Sequence, residues 1–280
     1  MRRIVFFLLP FAFCLTACSS NNVTEEDSFK KYFDSAGVTG CFGLFDNGQG
    51  QFTIYNLGAF KDSAYLPAST FKIVNSLVGI ETGRVNNANM VIKWDGITRF
   101  YPLGDTAVGW NKDLTMKEAF KASAVPYYQE LARRIGKDTM QHWLDTLGYG
   151  QRYGKFKISG NIDTFWLDNS LKVTADEELG LVKKLYFEQL PFLKSTQKTV
   201  RALMLQEDNA NYKLSYKTGW GFRENGNPVG WVVGWIEENR HPYFFALQVV
   251  SGNHNYDMRP ARMAILKNIL QQMGFFKGLK

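Results

Sequence analysis

The sequence predicts an α+β fold: an antiparallel sheet built from the two ends of the chain and flanked by helices, beside a mostly helical subdomain. Three observations carry that prediction. Short alternating strand patterns lie near the amino end, helical periodicity dominates the middle, and long apolar runs return before a closing amphipathic helix. Of the 280 residues, 45% are apolar and 15% aromatic, enough to fill one large core, and no internal repeat or low-complexity linker divides them.

The elements follow in order. Arg2 and Arg3 precede an apolar run from Ile4 to Phe13 and then Leu15-Thr16-Ala17-Cys18. That layout reads as a secretory signal over residues 1–17, too short for a spanning helix. Small residues before Cys18 favour its lipidation as the first residue of an exported chain, periplasmic or attached to the outer membrane, over an ordinary signal cleaved nearby. The polar stretch over 18–28 reads as a tether, leaving 29–280 as one domain. Cys14 leaves with the signal and Cys18 takes the lipid, so Cys41 is alone and forms no intramolecular disulfide.

Thr39–Phe45 and Gln51–Tyr55 read as strands joined by a turn at Asp46-Asn47-Gly48. After Pro67-Ala68, the apolar positions Phe71, Ile73, Val74, Leu77, Val78 and Ile80 predict a helix running into the core. Further helices are expected over Met116–Lys121, Tyr127–Ile135, Thr139–Leu147 and Ala175–Leu185. Tyr212–Tyr216, Trp231–Ile236 and Phe244–Val250 then form a meander, and Ile265, Leu266, Ile269, Leu270 and Met273 mark the last helix.

Three short motifs carry the chemistry. Ser-x-x-Lys occurs three times, at Ser28–Lys31, Ser69–Lys72 and Ser195–Lys198, so the tetrad alone decides nothing. Only the middle copy opens a core-directed helix; Ser28 lies in a charged stretch, and Ser195 reads as the start of a polar surface turn. Residues three apart share a helix face, which puts Lys72 beneath the Ser69 hydroxyl. The helix start adds free backbone N–H groups to stabilise an oxyanion there. Lysine activates a serine only as the neutral amine, and burial among apolar neighbours is what lowers its pKa far enough. The other two motifs are Ser123-Ala124-Val125 and Lys217-Thr218-Gly219, the latter at a strand edge where a substrate amide can pair with the backbone.

A serine nucleophile, a second serine and Lys-Thr-Gly is the layout of serine β-lactamases and penicillin-binding proteins. Along nearly its whole length beyond the signal, the chain resembles a class D β-lactamase, an oxacillinase. The resemblance rests on Pro67–Lys72, Trp110, Ser123-Ala124-Val125 with the following Pro126–Ala132, Asp163–Leu167 and Lys217–Trp220. No Glu-x-x-Leu-Asn segment of the class A kind is present.

The resemblance implies a serine β-lactamase/penicillin-binding transpeptidase-like fold and hydrolysis of penicillin-type antibiotics through an acyl-enzyme on Ser69, conferring resistance. It implies that Lys72 takes up carbon dioxide to become a carbamate serving as general base, with no other cofactor. Trp166 would hydrogen-bond that carbamate, and Val125 and Leu167 would shield it. Ser123 would relay a proton to the β-lactam nitrogen with Lys217 supplying positive charge. The N–H groups of Ser69 and Trp220 would form the oxyanion hole. Thr218, Gly219, Trp110 and Arg262 would contact substrate, Arg262 through its carboxylate, with Arg259 a nearby rival. Loops around Trp110, Trp220 and Asn225-Gly226 are expected to set the spectrum. One stretch departs from the family's Tyr-Gly-Asn: Tyr149-Gly150 and Tyr153-Gly154 compete for that place, neither followed by Asn.

Composition narrows the remaining classes. The charge of +7 is scattered, which argues against nucleic acid, and no protein partner is evident. His142, His241 and His254 have no metal-ligand spacing, so no metal and no Ser-His triad is expected. A penicillin receptor that stays acylated, and a cell-wall transpeptidase, are the rival readings.

Overall fold

The computed structural model describes residues 22–280. The signal and Cys18 lie outside the described residues. In chain order the strands are β1 (Val23–Glu25), β2 (Thr39–Asp46), β3 (Gln51–Tyr55), β4 (Val91–Ile92), β5 (Leu114–Thr115), β6 (Leu205–Asp208), β7 (Lys213–Phe222), β8 (Pro228–Glu238) and β9 (His241–Val250). The helices are α1 (Lys30–Ser35), α2 (Leu57–Asp62), α3 (Lys72–Glu81), α4 (Met116–Lys121), α5 (Val125–Ile135), α6 (Lys137–Leu147), α7 (Ala175–Tyr186), α8 (Lys194–Leu203) and α9 (Met258–Gln272).

Seven strands form one sheet in the order β1-β3-β2-β9-β8-β7-β6, and β4 and β5 pair separately. The sheet joins the two ends of the chain at β2–β9, in register from Thr39↔Val250 to Asp46↔Tyr243. Strand alternation sends the side chains to two apolar clusters. Phe42, Leu44, Val232, Ile236, Phe245 and Leu247 pack with Phe29 and Phe33 and with Ile265, Leu266 and Ile269 of α9. Cys41, Phe45, Trp231, Val233, Trp235, Phe244 and Ala246 face the other helices. Burial on both faces explains why β8 and β9 read as continuous apolar runs rather than half-polar ones.

Turn chemistry fixes the register. Asp46 Oδ1 accepts the N–H groups of Gly48 and Gln49 at 2.8 and 3.1 Å, closing the β2–β3 hairpin. Asn239 and Arg240 take φ of +50° and +67°, the backbone twist that a two-residue hairpin between β8 and β9 requires. Next to that turn, Glu238 is buried and its carboxylate accepts N–H groups from Phe276, Leu279 and Lys280 at 2.5, 3.1 and 3.2 Å, so the end of the chain is clamped to the sheet. Capping boxes at Thr115/Glu118 and Thr174/Glu177 start α4 and α7.

Two readings need correction. Part of the presumed tether belongs to the fold: Val23–Glu25 pairs in parallel with Phe52–Ile54. The backbone ladder there does not depend on apolar side chains, which is why a polar sequence concealed it. The supposed surface turn at Ser195 is the first turn of α8, whose buried Thr196, Gln197, Val200 and Leu203 repeat at helical spacing. Its Gln197 side chain bonds the backbone of Leu190 and Phe192, tying down the preceding loop.

Candidate active site

The nucleophile candidate sits where sheet and helices meet. Ala68–Phe71 form a single 3-10 turn leading into α3. Ala68 is held at φ +49°, donating its N–H to Trp166 O at 3.1 Å, so the chain bends sharply just before Ser69. The β7 strand lies against this turn. A Cβ on Gly219 would stand 2.9 Å from Pro67 O and 3.1 Å from the Trp231 side chain. The glycine expected to make room for a ligand therefore makes room for the nucleophile turn.

Lys72 Nζ donates to Ser69 Oγ at 2.6 Å. Lys72 is 0% exposed and Ser69 only 8%. Burial without an ionic partner lowers the Lys72 ammonium from its ordinary range to about 7, the physical condition for a basic amine near neutrality. The serine and the lysine of both rival tetrads are exposed. Burial, more than helical setting, separates the working tetrad from the other two.

Ser123 occupies the link between α4 and α5 at φ +54°. Lys217 Nζ donates to Ser123 Oγ at 2.9 Å and to Thr218 O at 3.0 Å. Burial first, and then the charges of Lys72 and Arg262, push Lys217 well below the usual lysine range. Lys217 is thereby held as a hydrogen-bond donor to Ser123.

Arg262 is 8% exposed; burial lowers its guanidinium to about 10, and it donates to Gly219 O while leaving Nε unpartnered. Arg259 instead pairs with Asp257 at 2.8 Å and with Asp105 at 3.4 Å, stacking between Tyr101 and Trp220. That leaves Arg262 the freer cation. Both line a cleft of about 540 Å³ together with Ser69, Ser123, Val125, Leu167, Thr218 and Trp220. Trp110 forms one wall, fixed by its Nε1 donating to Ala122 O at 2.9 Å. Beyond Ser215, β7 outruns β6, leaving the edge that carries Thr218 and Trp220 without a second strand partner.

The cleft's outer rim was not foreseen. Phe100, Tyr101 and Pro102 line it, whereas the Asn225-Gly226 turn does not. The rim segment lacks both helical and strand periodicity, so its place could not be read from residue pattern.

Trp166 packs its ring on Phe71 at 5.1 Å, and its Nε1–H is buried with no acceptor among the described residues. An orphaned buried donor is costly. A carboxylated Lys72 is the group that the family resemblance implies, and the residues fit it. Here are a neutral-leaning lysine, an unspent indole donor, and Val125 and Leu167 on the cleft side.

The two Tyr-Gly pairs are now distinguishable. Tyr149 is 4% exposed, packs beside Phe71, and donates from its hydroxyl to Glu178 Oε1 at 2.8 Å. Tyr153 is 66% exposed and its neighbour Arg152 pairs with Asp62 on the surface. The first pair stands beside the site and the second lies on the surface. Sequence reasoning missed Thr70 and Glu178, which join Tyr149. The signal was present: Glu178 falls on the stripe Ala175, Leu179, Val182 of its own helix, where a carboxylate has no business unless it is bonded.

Comparisons with known proteins point one way. Residues 30–271 match the model of the penicillin binding protein transpeptidase domain. The chain is 35% identical to β-lactamase OXA-19 of Pseudomonas aeruginosa over 274 residues, 95% of this chain and 98% of the other. A class D β-lactamase from Nostoc superposes with a TM-score of 0.80 at 34% identity, over 89% of this chain and 99% of that one. The C-terminal domain of the Bacillus licheniformis BlaR penicillin-receptor superposes with a TM-score of 0.82 at 28% identity, over 92% and 98%.

Proposed function

The chain belongs to the class D β-lactamases, on the penicillin-binding transpeptidase fold, and we propose that it hydrolyses penicillin-type antibiotics through an acyl-enzyme on Ser69, conferring resistance. The observation that carries the proposal is Lys72 Nζ at 2.6 Å from Ser69 Oγ in a fully buried setting.

In this mechanism Arg262 and the Thr218 hydroxyl bind the substrate carboxylate, which places the β-lactam carbonyl over Ser69. Ser69 Oγ attacks the carbonyl carbon as its proton leaves toward Lys72, and the developing oxyanion is met by the N–H groups of Ser69 and Trp220. Lys217 holds Ser123 Oγ as an acceptor, which leaves the Ser123 proton free to pass to the departing nitrogen, and the proton taken up by Lys72 then returns to Ser123 to restore both groups. The net change is one bond from oxygen to carbon, one broken carbon–nitrogen bond and one proton moved from Ser69 to nitrogen. A carbamate on Lys72, formed with carbon dioxide, would be held by Trp166 Nε1–H and would supply the general base for both half-reactions. Val125 and Leu167 screen that base from bulk water while admitting the water that resolves the ester. At the amino terminus, lipidation of Cys18 after export anchors the enzyme to a membrane; a Cys18→Ser chain is expected in the soluble fraction.

The test is steady-state hydrolysis of a chromogenic β-lactam in degassed buffer with and without bicarbonate. Multiple turnovers that rise with bicarbonate are expected. Lys72→Ala is expected to lose turnover by roughly a thousandfold or more, and Ser69→Ala to lose covalent labelling as well. A single stoichiometric burst under both conditions would instead assign a receptor.

A further inference from the structure

The group beneath the nucleophile turn that this mechanism leaves unused is Glu178. It lies in the first turn of α7 and is 0% exposed. Its Oε1 is 2.6 Å from Thr70 Oγ1 and 2.8 Å from the Tyr149 hydroxyl, while Thr70 Oγ1 is also 2.9 Å from Pro67 O. Four oxygens thus make three contacts in series, from Tyr149 through Glu178 and Thr70 to the carbonyl of Pro67. Three contacts need three hydrogens. The two hydroxyls supply two, and Pro67 O, a carbonyl, supplies none. An ionised Glu178 therefore leaves one contact without a proton, either Thr70 to Glu178 or Thr70 to Pro67.

We propose that Glu178 works as a neutral carboxylic acid and is a positioning residue. Its proton, carried on Oε1, is donated to Thr70 Oγ1, and Thr70 in turn donates to Pro67 O. This locks the turn that presents Ser69. The inference deepens the reading above without touching the base: Thr70 is adjacent to the nucleophile, and Pro67 is the residue whose carbonyl also sets the closest approach to Gly219. The surroundings favour the acid form. Burial pushes the carboxyl up to about 7 despite its two hydroxyl neighbours, and Glu177 on the same helix adds to the rise. From the facing segment Tyr149 is the titratable neighbour, itself held well above the usual tyrosine range by burial and by Glu178. Among the described residues no lysine, arginine or histidine forms an ion pair with Glu178.

The discriminating variants are Glu178→Gln and Glu178→Leu in the full enzyme. A glutamine amide placed with Nε2 toward Thr70 donates as the acid does and does not ionise. Leucine keeps bulk but offers no donor. Glu178→Gln is expected to keep kcat within about threefold of wild type and to remove a fall in kcat on the alkaline side, above about pH 7. Glu178→Leu is expected to lose kcat about tenfold or more with little change in KM. Infrared difference spectra of the wild type are expected to show the carbonyl band of a protonated buried carboxyl, absent from Glu178→Gln. Glutamine and leucine variants impaired alike would overturn the proposal, since the ionised charge would then be the working form. So would a leucine variant as active as wild type, or the absence of the protonated band. Loss of bicarbonate-stimulated turnover by wild type would fail the catalytic reading alone, because the infrared band reports Glu178 whatever the reaction is.

Discussion

At the residue scale, the site is organised by what burial does to ionisable groups. Lys72, Lys217 and Glu178 are all removed from water, and burial shifts each toward its neutral form. For Lys72 the consequence is a pH limb. The amine is protonated as pH falls through about 7, so kcat/KM measured without bicarbonate is expected to fall about tenfold per unit below that point, with the limb abolished in Lys72→Ala. Trp166→Phe keeps the stack on Phe71 and removes the indole donor. It is expected to raise the bicarbonate concentration needed for half-maximal rate by roughly tenfold, about 1.4 kcal/mol, the scale of one hydrogen bond. Ser69, Lys72, Ser123 and Lys217 were legible in the sequence because motif spacing fixes them on faces. Glu178 and Thr70 were not, because their partners come from three separate segments that only the folded chain brings together.

At the element scale, the close approach of β7 to the nucleophile turn is the most constrained contact. Gly219→Ala forces its methyl to 2.9 Å from Pro67 O, a backbone atom held by Thr70. We expect a loss of about 1–3 kcal/mol in stability by urea titration and a larger proportional loss of kcat, since Ser69 rides on the displaced turn. The clamp at Glu238 is a second element-level test. Glu238→Ala leaves the N–H groups of Phe276, Leu279 and Lys280 without their acceptor and is expected to cost about 1–3 kcal/mol while kcat stays unchanged. Long periodic elements such as α3, α5, α7 and the three late strands were foreseen within a few residues. The misses were β1, α8, the short elements α1, α2, β4, β5 and β6, and the rim at Phe100–Pro102, where the sequence is short, polar or aperiodic and position is set by pairing or by packing from elsewhere.

At the scale of the whole molecule, the cost of the site shows in stability. Lys72 has a folded pKa below its unfolded one, so its contribution is fully present above about 10.5 and is lost as pH falls toward 7. Glu178 has a folded pKa above its unfolded one, so its contribution is fully present below about 4.5 and is lost as pH rises toward 7. The two penalties coincide near neutrality. Lys72→Met is expected to raise the melting temperature at pH 7 in bicarbonate-free buffer by a few degrees, with a smaller gain at pH 10, at the expense of turnover. The α+β class and the junction of the chain's two ends were readable from patterning alone. That the nucleophile turn packs on β7, two strands from that junction, followed only from the three-dimensional structure.

The pairing of β1 with β3 has one further consequence, for the enzyme's leash. With Cys18 lipidated as proposed, Val23 already belongs to the sheet, and only the four residues Ser19, Ser20, Asn21 and Asn22 separate lipid from folded body. Fully extended, they reach roughly 14 Å. So anchored, the catalytic domain would skim the bilayer on its β1 edge instead of swinging on a long arm.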